Sequence, residues 1–123
     1  MHTEVRTITK EAAVLEAAER MSKKDISCLV VTENSSPIGI ITRRDIFEKV
    51  MIQKENPEQI KVDDVMTRDL ITFGPEATML AASGVMKDKK IKQIPIVKAD
   101  KLVGIVTQTD VVNNVNKILK YDP

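Results

Sequence analysis

Hydrophobic and polar positions follow the same order twice along this chain. Each time a short extended stretch, "VRTIT" or "LITFG", leads into a helical pattern, and two runs of β-branched residues come next. The runs are "ISCLVVTE" and "PIGIIT" around "NSSP" in the first copy, and "IKQIPIVK" and "LVGIVT" around "ADK" in the second. A further helical pattern closes each copy. These periods predict the element order β-α-β-β-α, repeated once.

The two copies are related by a shift of 65 positions without a gap, so that residues 1–51 fall on residues 66–116. Fourteen of these 51 pairs are identical. A repeat of this kind indicates two structural units, which we assign to residues 1–61 and 62–123. A hairpin with two helices is too small to bury its own apolar face. We therefore predict one compact α+β module, with two pseudo-two-fold related units packed sheet against sheet and helices outside.

The same patterns predict where the first helix of each copy begins. "KEAAVLEAAERM" follows Thr9, whose hydroxyl suits an N-cap. "PEATMLAASGVM" opens on Pro75, and proline is favoured in a first helical turn. We therefore expect the helices to begin directly after Thr9 and at Pro75.

Composition narrows the class of protein. The net charge of +1 over 123 residues provides no strong field for nucleic acid or an anionic membrane. The start, "MHTEVRTITK", lacks the apolar core of a signal peptide, and no apolar run reaches the length of a membrane span. We therefore expect a cytoplasmic protein. Cys28 is the only cysteine and His2 the only histidine. With so few candidate nucleophiles, bases and metal ligands, the sequence disfavours both an enzyme active site and a metal site.

One heptapeptide recurs at the end of the second run of each copy, as "GIITRRD" at 39–45 and "GIVTQTD" at 104–110. Thr-x-x-Asp is close to a capping box, in which the threonine caps a helix and the acid answers it. An ionised aspartate at the same place can also accept two hydrogen bonds from a ribose diol. The repeat itself is compatible with both interpretations.

The whole repeat, residues 1–116, resembles the CBS domain, named after cystathionine β-synthase, here as a stand-alone tandem pair or Bateman module. "IKQIPIVKADKLVGIVTQTD" is similar to the most recognisable stretch of that family, whereas the first copy departs from it with Val30 where the second has Pro95. The resemblance implies two related clefts between the repeats that hold an adenosine compound: AMP, ADP, ATP or S-adenosylmethionine.

The resemblance also implies which residues line these clefts. Asp45 and Asp110 would hold the ribose hydroxyls. Ribose or phosphate groups would be contacted by polar residues near these aspartates: Thr42, Arg43, Arg44, Thr107, Thr109, Lys92 and Gln93. The base of the Asp110 cleft would lie among residues of the first repeat: Thr7, Ala12, Ser27 and Cys28. The base of the Asp45 cleft would lie among residues of the second: Thr72, Ala77 and Ile91. Core packing explains Ala12, Ala77 and Ile91 equally well.

The resulting hypothesis is a non-enzymatic regulatory or energy-sensing module that forms a homodimer and acts on an unidentified protein. It needs no obligatory cofactor, although a nucleotide could bring Mg²⁺. The alternative is a protein-interaction module of the same fold with vestigial, empty clefts. An enzyme with a nucleotide substrate and a nucleic-acid binder are disfavoured by the missing general base and by the charge.

Overall fold

The computed structural model describes residues 6–114, and the side chains of residues 6–112. The chain divides into two compact units whose boundary lies between Leu70 and Ile71. Within the described residues, none of the helices is long and apolar enough to cross a membrane.

The first unit, Arg6–Leu70, has the predicted order of elements. Strand β1 pairs in parallel with β2, and β2 pairs antiparallel with β3, giving the sheet order β1-β2-β3. The helix after β3 begins as α-helix and continues as a π-helical turn over Phe47–Met51. The elements are β1 Thr7–Thr9, α1 Val14–Lys24, β2 Cys28–Glu33, β3 Ser36–Thr42, α2 Arg43–Ile46 and α3 Val62–Val65.

The second unit repeats this order with a reduced first strand. Strands β4 and β5 form an antiparallel pair. The predicted strand "LITFG" contributes a single bridge, in which Phe73 pairs in parallel with Ile96. Gly74 and Pro75 follow this residue, and both disfavour longer pairing. The elements are α4 Met79–Lys89, β4 Gln93–Lys98, β5 Lys101–Thr107 and α5 Gln108–Asn114.

Both hairpins turn on two residues in the left-handed region. Asn34 and Ser35 have φ of 53° and 68°, and Ala99 and Asp100 have φ of 51° and 64°. Turns with positive φ at both central positions match the right-handed twist of the flanking strands. The turns predicted at "NSSP" and "ADK" are therefore confirmed, each at its first two residues.

The prediction of Thr9 as N-cap of the first helix is wrong, since Thr9 ends β1 and the helix starts at Val14 after Ala13. A long-range backbone contact replaces the first helical turn. The N–H of Val14 donates to the carbonyl of Ile60 at 2.8 Å, and the N–H of Val62 donates to the carbonyl of Ala12 at 2.8 Å. These bonds use backbone groups that an earlier helix start would have needed.

The expected start at Pro75 is also wrong. Helix α4 begins at Met79, and the hydroxyl of Thr78 accepts a hydrogen bond from the N–H of Ala81 at 3.0 Å. The threonine hydroxyl accepts a hydrogen bond from one of the free N–H groups of the first turn. Proline has no side-chain acceptor and cannot cap a helix in this way.

Each unit has its own apolar core. The first core includes Val62, Val65 and Met66 from α3 and its end, packed with the buried residues of β2, β3 and α1. Residues 62–70 thus belong to the first unit by packing, although the repeat counts them with the second copy. The boundary between residues 61 and 62 therefore remains a prediction from the sequence repeat. The second core is formed by Met79, Ala82, Met86, Ile94, Ile96, Val106 and Val111.

Candidate functional site

The first heptapeptide forms a capping box at the junction of β3 and α2. The N–H of Asp45 donates to Thr42 Oγ1 at 3.1 Å, and the N–H of Thr42 donates to Asp45 Oδ2 at 3.0 Å. The Thr42 hydroxyl lies 3.1 Å from the same Oδ2. The polar pair therefore fixes the turn from strand into helix.

The second carboxylate oxygen of Asp45 is also engaged. Thr67 Oγ1 donates to Oδ1 at 3.3 Å, and Lys49 Nζ lies 3.2 Å from Oδ1. Lys49 Nζ also donates to the carbonyl of Val65 at 2.8 Å. Asp45 is only 8% exposed, and among the described residues it is the one charged residue that is buried. Its carboxylate is therefore surrounded by donors from three segments of the first unit.

The second heptapeptide forms the same hydrogen bonds between Thr107 and Asp110. The N–H of Thr107 donates to Asp110 Oδ2 at 2.9 Å, and the hydroxyl lies 3.1 Å from that oxygen. The N–H of Asp110 donates to Thr107 Oγ1 at 3.3 Å. Partial burial raises the pKa of Asp110 and is the largest single influence, but the lowering influences together, led by the hydrogen bond from the Thr107 backbone, outweigh it, so the pKa lies below its ordinary value. Asp110 is thus ionised at neutral pH.

Polar residues from the neighbouring strand lie at this same end of the second hairpin. Gln93, the first residue of β4, pairs with Thr107. The N–H of Gln108 donates to the carbonyl of Lys92 at 2.8 Å. Lys92 and Thr109 are exposed, and Gln93 is half-buried. Sequence-predicted ligand residues of the second unit therefore come together at one end of β4 and β5.

The corresponding end of the first hairpin has different chemistry. Cys28 pairs with Thr42, and the N–H of Arg43 donates to the carbonyl of Ser27 at 3.0 Å. Cys28 is buried, and burial raises the pKa of its thiol to about 11. The thiol is therefore neutral at physiological pH and lacks the thiolate character of a nucleophile.

Both predicted phosphate cations of the first unit have acidic neighbours. Arg43 lies 3.7 Å from Asp25, and Arg44 Nε lies 3.2 Å from Glu48. All four side chains are largely exposed. Exposed ion pairs of this kind contribute little energy, so both arginines can exchange their partners for an anionic ligand.

The remaining sequence-predicted residues belong to the body of each unit. Thr7 lies in β1 and Thr72 is exposed. Ala12 packs against the first core, and Ala77 and Ile91 pack against the second. For these three residues the structure agrees with the core-packing interpretation.

Sequence reasoning missed the two residues that contact Asp45 Oδ1. Lys49 had a detectable signal, because acid and base four positions apart on a helix form an ion pair. Thr67 had none, since it lies 22 positions from Asp45 in the chain.

The model of the CBS domain family matches residues 1–52 and 62–117. This chain belongs to the CBS domain family. Its two matched segments make it a tandem pair of CBS domains, in agreement with the resemblance stated above. Among the residues that the structure describes, no group of three or more histidine, cysteine, aspartate or glutamate side chains could hold a metal ion.

Known relatives extend this CBS assignment. The CBS domain-containing protein CBSX3, mitochondrial, of Arabidopsis thaliana is 36% identical over 112 residues, which are 87% of this chain and 54% of the relative. The chain likewise spans 56% and 62% of uncharacterised relatives from Methanopyrus kandleri and Methanocaldococcus jannaschii. It thus covers only about half to three-fifths of these curated proteins.

Solved structures share the CBS fold at similar size. The CBS-domain containing protein ATU1752 from Agrobacterium tumefaciens has a TM-score of 0.83 at 26% identity, covering 90% of this chain and 89% of that one. The CBS domain pair of protein MJ0100, in complex with 5′-methylthioadenosine and S-adenosyl-L-methionine, has a TM-score of 0.78 at 28% identity, covering 87% and 84%.

Proposed function

We propose that this CBS pair is a non-enzymatic regulatory module that binds an adenosine compound, with Asp110 as a ribose ligand. AMP, ADP, ATP and S-adenosylmethionine are the candidate ligands. The similarity to a CBS pair that holds two adenosine compounds supports this class of ligand. Binding would change the module's affinity for a regulated protein, because a ligand shifts a conformational equilibrium by its differential affinity for the two states.

The observation that carries the proposal is the polar group at the end of β4 and β5. Asp110 is only half-buried and its pKa is lowered, so an ionised carboxylate meets solvent beside Thr107. A carboxylate can accept hydrogen bonds from both hydroxyls of a ribose. The exposed ammonium of Lys92, next to Gln93, supplies charge for a phosphate or for the carboxylate of a methionine group.

A regulatory rather than enzymatic role is supported by the state of Cys28. Its buried thiol has a pKa raised to about 11, which removes it as a nucleophile at neutral pH. A bound nucleotide could still carry Mg²⁺ with it, held by its phosphates.

Titration calorimetry with AMP, ADP, ATP and S-adenosylmethionine tests the proposal. Asp110→Ala should weaken binding about tenfold or more, because hydrogen bonds to a charged group contribute roughly 1.5–3 kcal/mol. Lys92→Ala should weaken ATP more than adenosine. Asp88→Ala, at an exposed aspartate of α4 in the same unit, is the matched control and should bind as wild type.

The outcome that sinks the proposal is the absence of binding by wild type to every one of these compounds at millimolar concentration. The protein-interaction module with empty clefts would then be the better hypothesis.

The homodimer remains a second proposal, supported by an exposed apolar face on the first unit. Phe47, Met51 and Ile52 are 53%, 64% and 56% exposed. Phe47 and Met51 line an open groove of about 690 Å³, together with the charged residues Asp25, Arg43 and Arg44. Charges of both signs suit an isologous contact, in which each copy presents the same surface.

Sedimentation velocity tests the dimer. Phe47→Asp should give a monomer, whereas Leu80→Asp, at a 71% exposed leucine of the second unit, should leave the dimer intact. A wild-type monomer across micromolar concentrations would refute the assembly.

A further inference from the structure

The starts of helices α1 and α4 are equivalent in the repeat but differ in what lies against them. We propose that the start of α4 is a docking site for a peptide segment of another protein, with the chemistry of residues 57–65 of this chain. Such a segment has an extended stretch that carries an isoleucine, followed by one helical turn of the form Val-x-x-Val. The docking site is separate from the adenosine site and does not depend on it.

The first unit shows how such a segment is held. Residues 57–65, which we call the covering segment, lie against the start of α1. The N–H of Val14 donates to the carbonyl of Ile60 at 2.8 Å, and the N–H of Leu15 donates to the carbonyl of Pro57 at 2.9 Å. N–H groups in the first turn of a helix have no acceptor within the helix. The covering segment therefore supplies acceptors that α1 itself cannot.

Carbonyls that precede α1 are paired with the same segment. The N–H of Val62 donates to the carbonyl of Ala12 at 2.8 Å, and the N–H of Asp63 donates to the carbonyl of Lys10 at 3.0 Å. Val62 and Val65 are then only 0% and 4% exposed. Backbone pairing combined with apolar anchors is a common way for one protein to bind an extended segment of another.

The second unit repeats the loop that receives the covering segment. The N–H of Ala77 donates to the carbonyl of Gly74 at 3.3 Å, as the N–H of Ala12 does to the carbonyl of Thr9 at 3.3 Å. Four backbone groups of this loop and helix start are equivalent to the paired groups of the first unit, and we call them the open edge: the carbonyls of Pro75 and Ala77 and the N–H groups of Met79 and Leu80.

The open edge is uncovered. Among the residues that the structure describes, none pairs with its four groups. Leu15 and Leu80 are the same residue at the same place in the repeat, yet Leu15 is half-buried and Leu80 is 71% exposed. Likewise Ile8 is 3% exposed, whereas its equivalent Phe73 is only half-buried. The second unit therefore keeps the receiving shape without the cover.

The chemistry of the open edge favours a peptide. It presents two donors and two acceptors beside an exposed leucine. An anion at the helix start could accept from the N–H groups but would leave the carbonyls without donors. Each residue of a main chain carries both a donor and an acceptor, and apolar side chains of the same peptide can cover Leu80.

The segment is expected from another protein, because a second copy of this chain has no spare one. Its own covering segment is already paired with its first unit, where Val62 is 0% exposed. Releasing it would open that core. A short segment of similar sequence on the regulated protein would need no such rearrangement.

A fluorescein-labelled peptide of residues 55–67 of this chain is the probe. Anisotropy titration with the full chain should show saturable binding of one equivalent, with a dissociation constant below about 1 mM. The first unit should keep its own segment, since a tethered segment acts at an effective concentration in the millimolar range. Absence of binding by the full chain would overturn the proposal.

Variants locate the bound peptide. Leu80→Asp should weaken binding at least tenfold. Val112→Asp, at a 72% exposed valine of α5 in the same unit, is the matched control and should bind as wild type. A peptide carrying Val62→Asp should also bind at least tenfold more weakly. Binding that survives Leu80→Asp would place the peptide elsewhere and contradict the docking site.

Hydrogen exchange followed by NMR gives a second readout on the wild-type chain. The amides of Met79 and Leu80 should exchange quickly in the free protein and at least tenfold more slowly with saturating peptide. Those of Val14 and Leu15 should be slow in both states, because they are already bonded. Unchanged exchange at Met79 and Leu80 would refute the pairing. No nucleotide is present in these experiments, so their failure would leave adenosine binding to be decided by calorimetry alone.

Discussion

The two heptapeptides are the same structure in different surroundings. Thr42–Asp45 and Thr107–Asp110 form matching capping boxes, with N–H to carboxylate distances of 3.0 and 2.9 Å. Asp45 is nevertheless buried under Thr67 and Lys49, whereas Asp110 is half-buried beside polar strand ends. A duplicated motif thus keeps its local hydrogen bonds, while the burial of its carboxylate depends on what packs against it.

The strands that pair with the two heptapeptides, β2 and β4, differ in burial in the same direction. Cys28 begins β2 as a buried thiol, and the equivalent residue of the second copy, Gln93, begins β4 as a half-buried amide. The start of β2 is therefore less polar and less exposed to solvent than the start of β4. Variants at matched positions can show how far this difference extends.

The largest expected effect is alkaline destabilisation through Cys28. The thiol would ionise near 9.0 in the unfolded chain and near 11 in the folded one. Between these values the folded state keeps a proton that the unfolded state has released, so stability falls as the pH rises, by roughly 2–3 kcal/mol in all. Urea unfolding at pH 8 to 11 should show wild type losing this stability relative to Cys28→Ala.

Gln93→Ala is the control at the equivalent position, where no group titrates. If the difference between wild type and Cys28→Ala is constant with pH, the thiol is not buried as described.

The next effect concerns the close approach of residues 66 and 67 to β3. A Cβ on Gly39 would lie 2.7 Å from Met66 Sδ and 3.0 Å from the carbonyl of Thr67. Gly39→Ala should therefore destabilise the fold by about 1–3 kcal/mol. Gly84→Ala meets nothing within 4 Å inside helix α4, and it should stabilise by about 0.5–1 kcal/mol.

Thermal melting distinguishes the two glycines. A neutral Gly39→Ala would mean that residues 66 and 67 lie further from β3 than the paired backbone hydrogen bonds between Ile40 and Thr67 require.

A smaller and equal effect is expected for the shared caps. Thr42→Ala and Thr107→Ala each remove a hydroxyl that accepts from the N–H three residues later. Each should cost about 1 kcal/mol, and Thr78→Ala, at the ordinary cap of α4, should cost a similar amount. Chemical denaturation that gives clearly unequal losses at the two heptapeptides would contradict their local equivalence.

The smallest effect is the acid dependence of Asp110. Its pKa is lowered from 3.8, because desolvation, which raises it, is outweighed by the combined lowering influences, of which the hydrogen bond from the Thr107 backbone is the largest. Its contribution to stability is therefore present above its ordinary pKa and is lost as the pH falls through the lower folded value. Melting temperatures of wild type and Asp110→Asn should converge between pH 5 and pH 2.5, and a constant gap would refute the shift.

Local sequence was sufficient for much of this fold. The β-branched runs "ISCLVVTE" and "PIGIIT" predict β2 and β3, and the short turn "NSSP" forms where it was expected. The capping box, which was one of the two interpretations of Thr-x-x-Asp, forms in both copies. These features depend on residues within a few positions of one another, so their physics is readable from the chain.

Only the tertiary structure decided the rest. The helix expected from residue 10 begins at Val14, because residues 60–62 take the backbone groups of residues 12–14. Asp45 acquires Thr67 from 22 positions away, and Lys49 acquires the carbonyl of Val65 from 16 positions away. Periodicity and capping chemistry describe near neighbours only. The further contacts of a carboxylate depend on which distant donors the folded chain brings to it, and no local pattern contains that information.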